Sequence, residues 1–221
     1  SGDTLGSRSV AIGRSALQVQ NFTTATNAYN VAVGFQTGDS ITTGVENVLV
    51  GGLAGDALTD ADYNVAIGTA ALSADTLGSR SIAIGQGALG AQNFTTATDT
   101  YNVAVGYGAG DSVTTGIQNT LIGSLAGDSL TDADFNTAVG MSALGADTLG
   151  SKSVAIGSGA LSTQNFTTAT DAFNTAVGYG AGDLVTTGYQ NTLVGGLAGT
   201  SLTVGIENVA IGVGALDADL N

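Results

Sequence analysis

The side chains in this sequence that could do chemistry are carboxylates, hydroxyls, amides and aromatic rings, because its 221 residues include no histidine and no cysteine. Aspartates recur after glycine at Asp39, Asp56, Asp111, Asp128 and Asp183, and in pairs at Asp60 with Asp62 and Asp132 with Asp134. Two carboxylates at a suitable separation can hydrolyse a glycosidic bond, and clustered oxygens can hold calcium. An active-site pair, however, is built once, whereas these acids return along the whole chain. The usual imidazole base, thiolate nucleophile and imidazole metal ligand are missing. Aspartate after glycine is ordinary turn chemistry, and the Gly-Gly-x-Gly-x-Asp nonapeptide of calcium-binding rolls does not occur. The sequence therefore predicts no enzyme, no resident metal and no cofactor.

Aromatic rings offer a different chemistry, since an exposed ring can cover the C–H face of a sugar. Phe22, Phe94 and Phe166 lie 72 residues apart, each inside a copy of Asn-Phe-Thr-Thr-Ala-Thr; Phe35, Tyr107 and Tyr179 keep the same spacing. Both sets are candidate ligand surface, and the set in the loops, Phe22 and its equivalents, is the one expected to be exposed. A second aromatic series, Tyr29, Tyr63, Tyr101, Phe135 and Phe173, is expected to cover the bends of adjacent coils. Threonines at Thr42-Thr43, Thr114-Thr115 and Thr186-Thr187 raise a further reading, a water-ordering face of the ice-binding kind. Asn21-Phe22-Thr23 also fits the N-glycosylation pattern.

These residues are positioned by one five-residue phrase. Asn30-Val31-Ala32-Val33-Gly34 is restated from Asn47, Asn64, Asn102, Asn119, Asn136, Asn174, Asn191 and Asn208, and with serine first from Ser9, Ser81 and Ser153. The serine forms start 72 residues apart, and within each 72 the starts advance by 21, 17, 17 and 17. Self-similarity that fills a chain means stacked units too small to hold a core alone. Apolar residues alternate with a period of two, Gly is frequent, and Val, Ile and Thr dominate, which excludes helix. The expectation is an all-β fold, a parallel β-solenoid of about twelve coils. It forms one repeat domain over 1–221 in three four-coil superunits, 9–80, 81–152 and 153–221. The pattern begins and stops in mid-phrase, so we expect a piece of a longer fibre. Val and Ile are expected to face the core, and the small face, Ala11, Ala32, Ala66 and Ala83 with Leu49, Leu121 and Leu193, is expected outside and covered by another chain. The nine phrase-opening asparagines, from Asn30 to Asn208, are expected to form a structural ladder, each amide donating to one neighbouring coil and accepting from the other.

Composition narrows the partners. With 18 acids against 4 bases the formal charge is −14, which argues against nucleic acid, whose phosphates need clustered Lys and Arg. No apolar run approaches the roughly 18–20 residues of a membrane helix, so no membrane insertion of this segment is expected. Charged residues are only 10% of the chain, fewer than an ordinary soluble surface carries, as if much surface were covered by copies of itself.

Ser9-Val10-Ala11-Ile12-Gly13 followed by Ala16-Leu17, repeated at Ser153 to Leu161, resembles the head repeat of trimeric autotransporter adhesins, a motif also familiar in bacteriophage tail fibres. The likeness runs through all twelve coils. It implies a left-handed β-roll, association of three chains, an extracellular place on a cell or virion surface, and a structural or adhesive task toward a host-cell glycan or protein. This chain departs from the family in its longer 17-residue coil, the loop at Asn21 to Thr26, and Asn for Ser in nine of twelve openings.

Overall fold

The computed structural model describes residues 3–217. They fold as an all-β parallel solenoid of about twelve turns, whose three-residue strands make a parallel sheet of twelve. The chain comprises two compact units, Ser1–Gly108 and Ala109–Asn221, each with six of these strands. In the first unit Val10–Ile12, Val31–Val33, Val48–Val50, Val65–Ile67, Ile82–Ile84 and Val103–Val105 pair in sequence order, with Ala32 opposite Leu49 and Leu49 opposite Ala66. The second unit repeats the arrangement from Thr120–Ile122 to Val209–Ile211. Every strand therefore meets its own equivalent, as a constant phrase requires.

Each strand ends on a glycine whose φ lies in the left-handed half of the map. At Gly51 φ is +135°, and a Cβ there would stand 2.6 Å from the carbonyl oxygen of Gly68 in the next coil. Only glycine allows the backbones to stack so closely at this bend. The opposite corner breaks the usual rule, because the residue preceding each phrase is left-handed although it carries a side chain: φ is +51° at Tyr29, +57° at Glu46, +60° at Tyr63 and +64° at Arg80. A left-handed non-glycine residue costs roughly 1–2 kcal/mol, which the ladder bonds on either side hold in place.

The face of the strand that turns inward is the reverse of the expectation. The central residue of each described strand after the first is buried, whether Ala32, Leu49, Ala66 or Ala83, while the flanking Val and Ile point outward and are half-buried or exposed. Ala11, in the first strand, is exposed. The reason is the narrow interior, in which the strand centre and the position facing it across the coil, such as Ala66 with Leu72 or Leu49 with Gly55, hold at most one leucine between them. Coils with Leu72 or Leu89 carry Ala66 or Ala83 in the strand, and the coil with Leu49 carries Gly55. A Cβ on Gly55 would lie 2.8 Å from Leu58 Cδ1 and 3.0 Å from Leu49 Cδ2. Likewise Gly38 is overlain by Leu49, Ile41 and Leu17. Leucine against glycine, and alanine with leucine, share the interior between the two positions.

The four-residue insertion is closed locally. Gly78–Ser79 pairs in parallel with Thr98–Asp99, and Gly6–Ser7 and Gly150–Ser151 do the same with Thr26–Asn27 and Thr170–Asp171. This brings the longer coil back into register.

Candidate functional site

The sheet's outward face is the most distinctive surface of each unit. In the first it presents Val31, Val33, Val48, Val50, Val65, Ile67, Ile82, Ile84, Val103 and Val105, none of them buried. Six strands at about 4.8 Å spacing and roughly 10 Å long give an apolar face of roughly 300 Å² in the first unit, comparable with the largest patch of an ordinary monomer; in the second, Thr120, Thr137, Thr175 and Thr192 interrupt it.

At one edge of this face stands the left-handed corner column. Its side chains alternate between rings and polar groups, and each of the chain's four basic residues lies over a ring. Arg80 sits 4.7 Å from the Tyr63 ring centroid and its Nε pairs with Asp99 at 3.0 Å. Lys152 lies 5.4 Å from Phe173 and 2.6 Å from an oxygen of Asp171. Arg8 covers Tyr29 and donates to its hydroxyl at 2.8 Å, and Arg14 covers Phe35. Cations over rings are worth about 0.5–1 kcal/mol at exposed sites. They shield aromatics that otherwise stand in water.

The two aromatic sets exchange the places expected of them. Phe22, Phe94 and Phe166 are buried, with Phe94 N and Phe166 N donating to Asp75 and Asp147 at 3.0 Å. The insertion folds inward because its ring closes the end of the hydrophobic row and its backbone supplies a donor to a buried carboxylate. Phe35, Tyr107 and Tyr179 are the exposed set, at 47%, 59% and 70%. They are not brought together, since each belongs to a different superunit.

The asparagines do two jobs. Asn47 Nδ2 donates to Ala61 O at 2.8 Å, which ties its own coil shut, while Asn30 Oδ1 accepts from Asn47 N at 3.0 Å, which joins successive coils. Asn64, Asn136, Asn174 and Asn191 repeat both bonds within their units. Asn208 N and Nδ2 both donate to Asn191 Oδ1, Asn119 Nδ2 donates to Ala133 O, and Asn102 Nδ2 donates to Gln92. The ladder thus runs mainly from side chain to backbone, with amide-to-amide contacts secondary to it.

Where serine replaces asparagine, a buried polar network appears that the sequence reading missed. Gln92 Nε2 donates to Asp75 Oδ2 at 2.5 Å and to Ser81 Oγ at 2.9 Å, while Gln92 Oε1 accepts from Asn102. Asp75 Oδ1 accepts from the backbone of Gly78 and Phe94, and Ser81 Oγ meets Thr100 Oγ1 at 2.5 Å. Asp147, Gln164, Ser153 and Asn174 repeat it, and Asp3, Gln20 and Asn30 form a third version. Ser9 Oγ there has no partner, whereas Ser153 Oγ accepts from Gln164 although alanine, Ala172, stands in the place of Thr100. The signal was the 72-residue recurrence of an Asp and a Gln with each serine-led phrase.

Burial pushes the Asp75 carboxyl above its ordinary range despite these donors. Burial also raises Asp56, Asp62 and Asp128, with Asp39 adding repulsion at Asp56 and Asp111 at Asp128. At Asp3 burial pulls the same way, but donation from Gln20, Gly6, Phe22 and Leu5 outweighs it and the carboxyl sits low. A carboxyl raised in the native state stabilises the fold below its unfolded value near 3.8, and that stabilisation is lost as pH climbs through the raised value. Relief of the −14 self-repulsion acts in the same direction. The thermal midpoint at fixed protein concentration is therefore expected to be higher at pH 4 than at pH 8. A midpoint that falls on acidification would contradict the four raised carboxyls.

The threonines of the turn are occupied. Thr42, Thr59 and Thr76 hydroxyls donate to the carbonyls of Thr59, Thr76 and Phe94, and Thr43 donates to Asp60 at 2.5 Å. Among the described residues no group of three acids could hold a metal ion, and no helix is long and apolar enough to cross a membrane. No protein-family model, curated protein or solved structure matches the chain.

Proposed function

We propose that this chain is a segment of a trimeric extracellular fibre in which three copies appose their outward Val/Ile faces, forming a stiff shaft or adhesive head at a cell or virion surface. The observation that carries the reading is that face: the most hydrophobic β-branched residues of the phrase point away from a core that alanine and leucine already fill. An apolar sheet face of this size is often an interaction site, and a second copy supplies a matching surface of identical pitch. Three chains, the left-handed roll and the adhesive setting follow the likeness of the Ser9 to Leu17 phrase to autotransporter head repeats. A bacteriophage tail fibre that recognises its host shares the same physics.

Stiffness would come from the unbroken ladders, and protease resistance from only 4 basic residues in 221. Ice binding gains no support, because the turn threonines donate their hydroxyls into the protein. Light scattering after size exclusion tests the reading. A mass three times 21.5 kDa is expected, and a clean monomer at micromolar concentration would refute it.

A further inference from the structure

We propose that the depression around Tyr179 binds a neutral pyranose sugar. The inference rests on the reading of the chain as a displayed fibre, and it names the ligand class and the residues. Tyr179, Leu197, Ser158, Gly159, Gly180 and Asp183 line an open hollow of about 240 Å³, close to the size of one sugar ring with its hydroxyls. Tyr179 is 70% exposed and Leu197 44% exposed, so the hollow has a flat aromatic wall and an aliphatic one. Its floor is two glycines: the space above Gly159 is clear of any atom within 4 Å of a Cβ position, and a Cβ on Gly180 would lie 3.0 Å from Leu197 Cδ2. Polar groups stand at the side, the Ser158 hydroxyl and the Asp183 carboxylate. That carboxylate already accepts from Ser162 and has lone pairs for a second donor. A ring wall for C–H groups with a hydroxyl and a carboxylate beside it is the chemistry that holds a sugar.

The repeats explain why this hollow is open and its first counterpart closed. The residue one coil before the exposed ring is Arg14 before Phe35, Gln86 before Tyr107 and Ser158 before Tyr179. As it shrinks, ring exposure climbs from 47% to 59% to 70%. Arg14 lies 5.6 Å from the Phe35 centroid and occupies the place a ligand would take. Asp183 and the chain's −14 charge disfavour acidic sugars, so the ligand class is neutral.

Saturation-transfer NMR on the full chain tests this, with methyl β-galactopyranoside and methyl β-glucopyranoside as neutral probes and sialyllactose as the acidic one. Binding of a neutral probe with roughly millimolar affinity is expected, with Tyr179→Ala and Ser158→Arg each weakening it at least tenfold. Ser158→Arg copies an arrangement the fold already carries at Arg14, and unchanged thermal midpoints verify folding in both variants. Arg14→Ser is expected to add binding at Phe35. No transfer to either neutral probe, undiminished transfer in both variants, or a preference for sialyllactose would each overturn the proposal. The mass of the same samples separates the two ideas: a trimer that ignores sugars keeps the fibre and loses the site, and a monomer that binds them does the opposite.

Discussion

Val33→Glu combined with Ile67→Glu is expected to dissociate the proposed assembly into single chains of 21.5 kDa while leaving the solenoid folded. Val33 and Ile67 lie on the outward face with Val50 between them in the ladder, so the two new charges stand about 10 Å apart and do not oppose each other at coil spacing. In the single chain both positions reach solvent, since Val33 is half-buried and Ile67 is 37% exposed. The glutamates therefore stay hydrated in the monomer and cost the fold little. In an interface between copies each carboxylate is stripped of water with no free cation to meet it, because all four basic residues are engaged over rings outside the strands. An unpaired buried charge costs several kcal/mol, and two per chain weaken association by more than about a thousandfold at 1.4 kcal/mol per decade. The matching Val33→Thr and Ile67→Thr pair is the control, since Thr120, Thr137, Thr175 and Thr192 already occupy outward positions of strands. A particle that keeps three chains with both glutamates present would show that another surface makes the assembly.

The parallel solenoid was legible because its cause is written twelve times. A phrase that restarts every 17 residues can only place like beside like, and pairings such as Val48 opposite Val65 follow from the count alone. Which side of the strand faces inward was not legible. Alternation specifies two faces but does not name the inner one, and the usual preference for β-branched residues in cores pointed the wrong way. The deciding fact lies across the coil, where Leu72 or Leu89 claims the interior and leaves room only for Ala66 or Ala83. That correlation is present in the sequence, yet it has meaning only once the roll's width is known. The loop rings failed for a related reason. Phe22 and Phe94 sit in polar, Thr-rich surroundings that read as solvent-facing, whereas the Asp beneath them needs a buried backbone donor and draws the insertion inward. Phe35, Tyr107 and Tyr179, expected to be the less exposed set, follow the glycine bend on the outside of the roll, where only Phe35 has a cation over its ring. At Asn47, type and spacing predicted the column, but the competing acceptor was a carbonyl of its own coil.

Gln92→Glu is expected to lower the thermal midpoint sharply at pH 7.5 and to recover much of the loss at pH 4.5. Gln92 is fully buried and its amide nitrogen supplies a proton to Asp75 Oδ2 at 2.5 Å. Changing that nitrogen to oxygen keeps the shape but sets two carboxylates against each other in a site with no basic residue, a pair that cannot both ionise. At neutral pH the fold must take up a proton or hold two repelling charges, a cost of about 3–5 kcal/mol, or roughly 6–20 °C for a chain of this size. In acid one shared proton restores the donor, so the variant's deficit shrinks while the wild type changes far less. Gln92→Leu separates charge from packing. It removes the donor without adding a carboxylate, strands Asp75 Oδ2, and is expected to cost about 1–3 kcal/mol with little recovery in acid beyond the wild-type trend. The network marks the point in each 72-residue period where serine interrupts the asparagine column and the 21-residue coil begins. Asp75 comes from one coil and Ser81 and Gln92 from the next, and they are satisfied only together, so a coil set beside Asp75 without a glutamine at this place would leave its carboxylate without that donor. If Gln92→Glu proved as stable as the wild type at pH 7.5, Asp75 would have to be protonated in the native state. The network would then be a neutral spacer with no part in setting register.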